Sequence, residues 1–131
     1  MLGITRLAGQ VVVAQRADAL IGAEPPQFGG MADNKLDAYP LLEIVQRIEA
    51  VTEQVKPEII YTHHGGDLNV DHEIVHRAVL TACRPLPQSC IRAIYAFETP
   101  SSTEWASGAT DPAGFRPNRF VNVADVLERK L

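Results

Sequence analysis

Five residues, Glu58-Ile59-Ile60-Tyr61-Thr62, sit between two helical patterns and set the architecture of the chain. The run is short, apolar at its centre and rich in β-formers, the pattern of a strand covered on both faces. Before it, Leu41, Ile44, Val45, Ile48, Val51 and Val55 fall on one helical face. Glu43, Gln46, Arg47, Glu49, Glu53 and Gln54 lie largely on the other. Pro40 stands in the first turn of that helix and Pro57 stops it. After the run comes a Gly-containing turn, His63-His64-Gly65-Gly66-Asp67. A further helix is expected from about Val70 to Cys83, burying Ile74, Val75, Ala78, Val79 and Ala82 and ended by Pro85 and Pro87. Ile91 to Phe97 reads as a second strand. Helix and buried strand in alternation predict an α/β fold: a three-layer sandwich with a mostly parallel sheet.

The flanks are less regular. Thr5 to Gly22 reads as a helix, with Leu7, Val11, Ala14 and Ile21 at helical spacing. Pro26-Gln27-Phe28-Gly29 and Phe120-Val121-Asn122-Val123 each suggest a short strand. Thr99 to Asn118 is a long loop rich in Pro, Gly and Ser, and Ala124 to Leu131 a terminal helix with Asn122 or a neighbour as cap. The whole chain, 131 residues, fits a single domain of partial character, because an α/β domain more usually opens on a central strand.

Composition removes several function classes. Twelve Lys+Arg against 16 Asp+Glu give a net charge of −4 with no basic run, which argues against nucleic acid as the partner. The longest aliphatic run is Val11-Val12-Val13-Ala14, far below the roughly 20 residues of a membrane span. Cys83 and Cys90 have neither the number of a disulfide framework nor Cys-x-x-Cys spacing, and two plain thiols suit a reducing cytoplasm.

The chemistry concentrates in one segment. All four histidines, His63, His64, His72 and His76, lie within 14 consecutive residues, interleaved with Asp67, Asn69, Asp71 and Glu73. The cluster starts where the first strand ends, and ligands of open parallel sheets bind beyond the carboxyl ends of strands. Imidazole with carboxylate suits zinc or another first-row divalent metal. Within the cluster, His72-Glu73-Ile74-Val75-His76 has the His-Glu-x-x-His spacing of zinc proteases. That reading is the minor one. Asn69 and Asp71 read as cap and first-turn residues, so His72 falls in the first helical turn, Arg77 puts a charge directly after His76, and a buried Ile74/Val75/Ala78 face sends Glu73 to the opposite side.

Tyr61-Thr62-His63-His64-Gly65-Gly66-Asp67-Leu68-Asn69-Val70-Asp71-His72 resembles the second signature of the PIG-L/LmbE-like deacetylases. Leu20 to Glu24, Phe28-Gly29, Asp33 to Asp37 and Phe97 to Trp105 extend the resemblance in the same order. The resemblance implies a Rossmann-like fold and a zinc-dependent deacetylase acting on an N-acetylglucosamine-type sugar or a related amide, in a bacterial cytoplasm. It implies His72 as metal ligand and, as catalytic residues, Asp71, which would orient or support that imidazole or a neighbouring one, with His64 and Asn69 on the reacting side. Asp67, Glu98, Ser101 and Trp105 would border the sugar, the indole stacking on a pyranose face.

The sequence departs from the family at two places. The first signature, His-Pro-x-Asp-Asp, supplies the other two protein ligands and a base, and this chain has no His-Pro pair. Asn69 stands where many members carry a His three residues before the ligand, a role that His64 or His63 would then fill. The expectation is therefore weak zinc binding and no activity from this chain alone. It also includes an uncovered sheet edge and association into a homodimer or larger homo-oligomer. The alternative is a non-catalytic α/β fragment or interaction module.

Overall fold

α2 (Leu41–Val55) begins directly after Pro40, whose φ of −56° and ψ of 130° turn the chain into the helix. It ends at Lys56, which takes a left-handed conformation (φ 50°) just before Pro57, a residue that cannot continue a helix. β1 (Ile59–His63) follows, then α3 (Val70–Ala82), then β2 (Ala93–Phe97). In the computed structural model, which describes residues 2–106 and 114–130, these elements belong to one compact unit spanning residues 30–117. The expected loop from Thr99 to Asn118 contains a short helix, α4 (Thr103–Ala106), and then lies partly outside the described residues.

The unit is mixed α/β. β1 and β2 pair in parallel, Ile59 opposite Ala93 through His63 opposite Phe97. The core lies between α2, α3 and a 3-10 turn at Leu36–Ala38. Leu36, Ile44, Val45 and Ala78 are buried there, with Ile48, Ile74 and Val75 packed around them. The α3 face is the expected one: Ala78 is fully buried and Val79 nearly so, while Glu73 is exposed.

Two strand expectations are corrected. β1 is covered on one face only: Thr62 is buried, whereas Ile59 is 49% and Tyr61 64% exposed. An apolar run shows that a strand tolerates two-sided cover, but a neighbouring layer must supply it, and α3 lies against one side. On the open face Tyr61 meets Tyr95 across the ladder, ring centroids 5.5 Å apart. Pro26 to Gly29 and Phe120 to Val123 form no strands. Pro25 and Pro26 have no N–H to donate to a ladder, and Phe120 and Val121 are 81% and 70% exposed.

The second unit comprises residues 1–29 and 118–131. Its long helix, α1 (Leu2–Ile21), stops where Gly22 turns left-handed (φ 72°) and the Ala23 N–H closes on the Asp18 carbonyl at 2.9 Å. Near the other terminus, Asn122 Oδ1 accepts from the Ala124 N–H at 3.0 Å just before the turn Ala124–Val126, whose N-cap position is Val123 and which leads into α5 (Leu127–Lys130). Residue 131, the expected end of that helix, lies outside the described residues.

Candidate active site

The site forms where β1 gives way to α3. Asn69 caps α3, its Oδ1 accepting the Asp71 N–H at 2.9 Å. The cap places His72 in the first turn, beside the end of β1. There the His72 ring lies flat on the ring of His63, the last residue of β1, with centroids 3.7 Å and planes 2° apart.

Asp67 organises the surroundings of His72. Its side chain is completely buried. Oδ2 accepts from the Thr103 hydroxyl at 2.5 Å, and Oδ1 accepts from the Asn69 N–H at 2.8 Å. The same Oδ1 lies 3.2 Å from His72 Nδ1. A carboxylate only accepts, so a proton sits on His72 Nδ1, and in the neutral imidazole Nε2 then carries the lone pair. Burial alone raises the Asp67 pKa. Hydrogen bonds from Thr103, the Asn69 backbone, Ser102 and His72 outweigh it and lower the carboxyl to about 2. Asp67 is therefore a carboxylate at neutral pH. His63 shifts down as well: burial lowers its pKa first, the neighbouring His72 adds to that, and Asp67 opposes it. Two imidazoles in face contact resist carrying charge together.

The segment after β2 closes over this pair. Thr103 Oγ1 accepts the Thr99 N–H at 2.7 Å while donating to Asp67, and Ser102 Oγ lies 3.4 Å from His72 Nδ1. Thr99 Oγ1 is 3.4 Å from His63 Nδ1. Thr99, Ser102 and Thr103 belong to the Phe97 to Trp105 segment of the resemblance, which names Glu98, Ser101 and Trp105 but not these three as site residues.

The structure brings Asp67, Asn69, His63 and His72 together. The carboxylate beside His72 is Asp67. Asp71, expected to support that imidazole, instead accepts the Leu36 N–H at 2.9 Å and ties the 3-10 turn to the start of α3. The His64 ring stands edge-on to Phe115 with centroids 5.3 Å apart. Glu98, Ser101 and Trp105 are exposed, and the Trp105 indole N–H donates to Glu104 Oε1 at 3.1 Å. His76 meets the His63 carbonyl, with Nδ1 2.8 Å from the oxygen.

A catalytic zinc centre takes three protein ligands. Among the described residues no three of His, Cys, Asp and Glu gather as a metal-holding group. The ring stack gives one reason. A ligating imidazole points its lone pair in the ring plane, so two parallel rings 3.7 Å apart cannot aim at one ion. His72 has the arrangement of a single ligand, Nδ1 tied to a carboxylate and Nε2 available. The set as a whole does not fit a zinc centre.

Residues 13–83 match the PIG-L family, described as GlcNAc-PI de-N-acetylase, over a span that holds all of α2, β1 and α3 and every histidine. The chain belongs to the PIG-L family. An uncharacterised deacetylase of Escherichia coli strain K12, YaiS, is 31% identical over 100 residues, which cover 70% of this chain and 46% of that protein. The chain thus spans about half the length of the curated relative it matches. No solved structure matches it. Membership in the PIG-L family agrees with the turn and cap of the second signature being where they are, at the end of a strand and the start of a helix.

Proposed function

We propose that the chain carries the imidazole–carboxylate part of an amide-hydrolysing site, a PIG-L deacetylase acting on an N-acetylglucosamine-type sugar or a related N-acyl substrate. The observation that carries this is the His72–Asp67 pair at the mouth of β1, inside the segment that matches the family. Hydrolysis of an amide needs a polarised carbonyl, an activated water and a proton for the leaving amine. His72, with Nδ1 tied to Asp67, would be the single ligand this chain offers a divalent metal, zinc by family resemblance, and the described residues around it do not complete the centre. His63 stays largely neutral near pH 7, because burial and His72 lower its pKa, and so suits proton exchange. Asn69 and Asp71 hold the helix start and the 3-10 turn in register behind these rings. Glu98, Ser101 and Trp105, all exposed, are the candidates for contact with the sugar, and His64 is a candidate for the reacting side.

With one well-prepared ligand, the chain alone binds zinc weakly and turns over little or no substrate. It acts as part of a single deacetylase-like domain in the cytoplasm, a reading supported by the free thiols of Cys83 and Cys90 and by the absence of any described helix long and apolar enough to cross a membrane. The exposed Ile59 and Tyr61 beside an open sheet edge support association with a second copy.

Titration of the full-length chain with zinc and with N-acetylglucosamine, followed by NMR and calorimetry, tests the reading. Zinc is expected to bind weakly and perturb His72 first, and the sugar to perturb the Trp105 indole. Silence towards both ligands would instead support the non-catalytic module. Tight stoichiometric zinc that is lost in His72→Ala and in His76→Ala, yet kept in His64→Ala, would restore the protease reading of His-Glu-x-x-His.

A further inference from the structure

His72 and His76 lie one helical turn apart on α3, where side chains at i and i+4 share a face. Both grip the same residue of β1. The His72 ring covers the His63 ring, while His76 Nδ1 sits 2.8 Å from the His63 carbonyl oxygen. A carbonyl only accepts, so His76 Nδ1 carries the proton and donates it there. Just beyond His63 the chain leaves the sheet, after a last ladder bond from the His64 N–H to the Phe97 carbonyl at 3.1 Å.

The His76 ring also fills the space beside Gly65. A Cβ on Gly65 would lie 2.7 Å from His76 Cδ2 and 2.9 Å from Nε2, closer than carbon atoms approach without displacement. Gly65 is not in the left-handed region, so backbone conformation does not demand glycine here. The close approach of the imidazole does. Nor can the ring simply swing aside, because its Nδ1 bond anchors it.

We infer that His76 is a positioning residue: it locks the His63–Gly65 turn, and through that turn the stack of His63 on His72, with Gly65 as the socket for its ring. The second histidine of His-Glu-x-x-His then serves to align two other histidines rather than to ligate. This assignment concerns the scaffold of the site and does not depend on which amide, if any, the site hydrolyses.

The test uses isotope-labelled full-length chain. Stacked imidazoles shield each other, so the ring protons of His63 and His72 resonate upfield. In His76→Ala and in Gly65→Ala these signals are expected to relax towards unstacked positions. His76→Asn places an amide donor near the position of Nδ1 and should keep the stack. Gly65→Ala should also lower the folding equilibrium constant about tenfold or more in the wild-type background, as overpacking does, and far less beside His76→Asn, which removes the ring it strikes. Unchanged His63 and His72 signals in folded His76→Ala would overturn the inference. So would loss of the stack in His76→Asn, or an equal cost of Gly65→Ala in both backgrounds. If His76→Ala does not fold, the His76→Asn pair decides the matter alone.

Discussion

Replacing Asp67 by Asn keeps the shape of the side chain and removes one acceptor from a buried cluster of donors. Oδ1 serves the Asn69 N–H and His72 Nδ1–H together, so the amide oxygen stays on that side. The amide NH2 then faces the Thr103 hydroxyl, which already accepts from Thr99 and loses the acceptor for its own proton. Against the effect of burial, the hydrogen bonds from Thr103, the Asn69 backbone, Ser102 and His72 favour the carboxylate over the acid and lower the Asp67 pKa from its usual 3.8 to about 2. Asp67→Asn is therefore expected to lower stability by about 2 kcal/mol at neutral pH, a value in line with charged hydrogen bonds. A carboxyl whose folded pKa is depressed contributes fully above its unfolded value and loses that contribution as pH falls through its folded value. The gap between wild type and variant should hold down to about pH 4 and close by about pH 2. Urea denaturation followed by circular dichroism, repeated across that range, measures it. A gap of the same size at both ends of the range, or none at neutral pH, would refute the claim that the charged form of Asp67 is what the cluster is built to hold.

Other substitutions probe the rest of the frame. Asn69→Ala removes the cap of α3 and should cost about 1 kcal/mol in denaturant melts, with Asn69→Ser or Asn69→Asp recovering most of it. Ile44→Ala hollows the small core between α2 and α3 and should cost about 3 kcal/mol by the same assay; a loss below about 1 kcal/mol would mean that the core collapses around the gap. The His63 imidazole should titrate below its usual 6.5, and lower still in Asp67→Asn, because Asp67 is the group that raises it against burial and His72; a titration at or above the usual value in the NMR spectrum contradicts the buried stack. Sedimentation over a range of concentrations should show self-association that weakens on Tyr61→Lys, and a stable monomer at high concentration would show that the open sheet face is tolerated unpaired.

The elements were legible in the sequence because periodicity is a property of the segment itself. The period of Ile44, Val45 and Ile48 gives α2 and its buried side, and Pro57 gives its end. The apolar run after it gives β1, and Asn69 followed by a helical pattern gives the cap of α3. The four histidines run from the last residue of that strand into that helix, and their clustering marks the candidate site in the sequence. The partners of those histidines were decided only by tertiary structure. Asp67 and Asp71 are both short carboxylates near His72, and nothing local says which one meets the ring; the cap geometry turns Asp71 to Leu36 and leaves Asp67 for His72. Thr103 reaches Asp67 across 36 positions of chain, a contact made because the parallel pairing of β1 and β2 sets the segments after the two strands side by side, which no window of sequence contains. The same holds for β1, whose composition suits cover on both faces and whose cover on one face follows from where α3 packs. Hydrophobic pattern fixes what each segment prefers to become, while the identity of a hydrogen-bond partner depends on where separate segments cross.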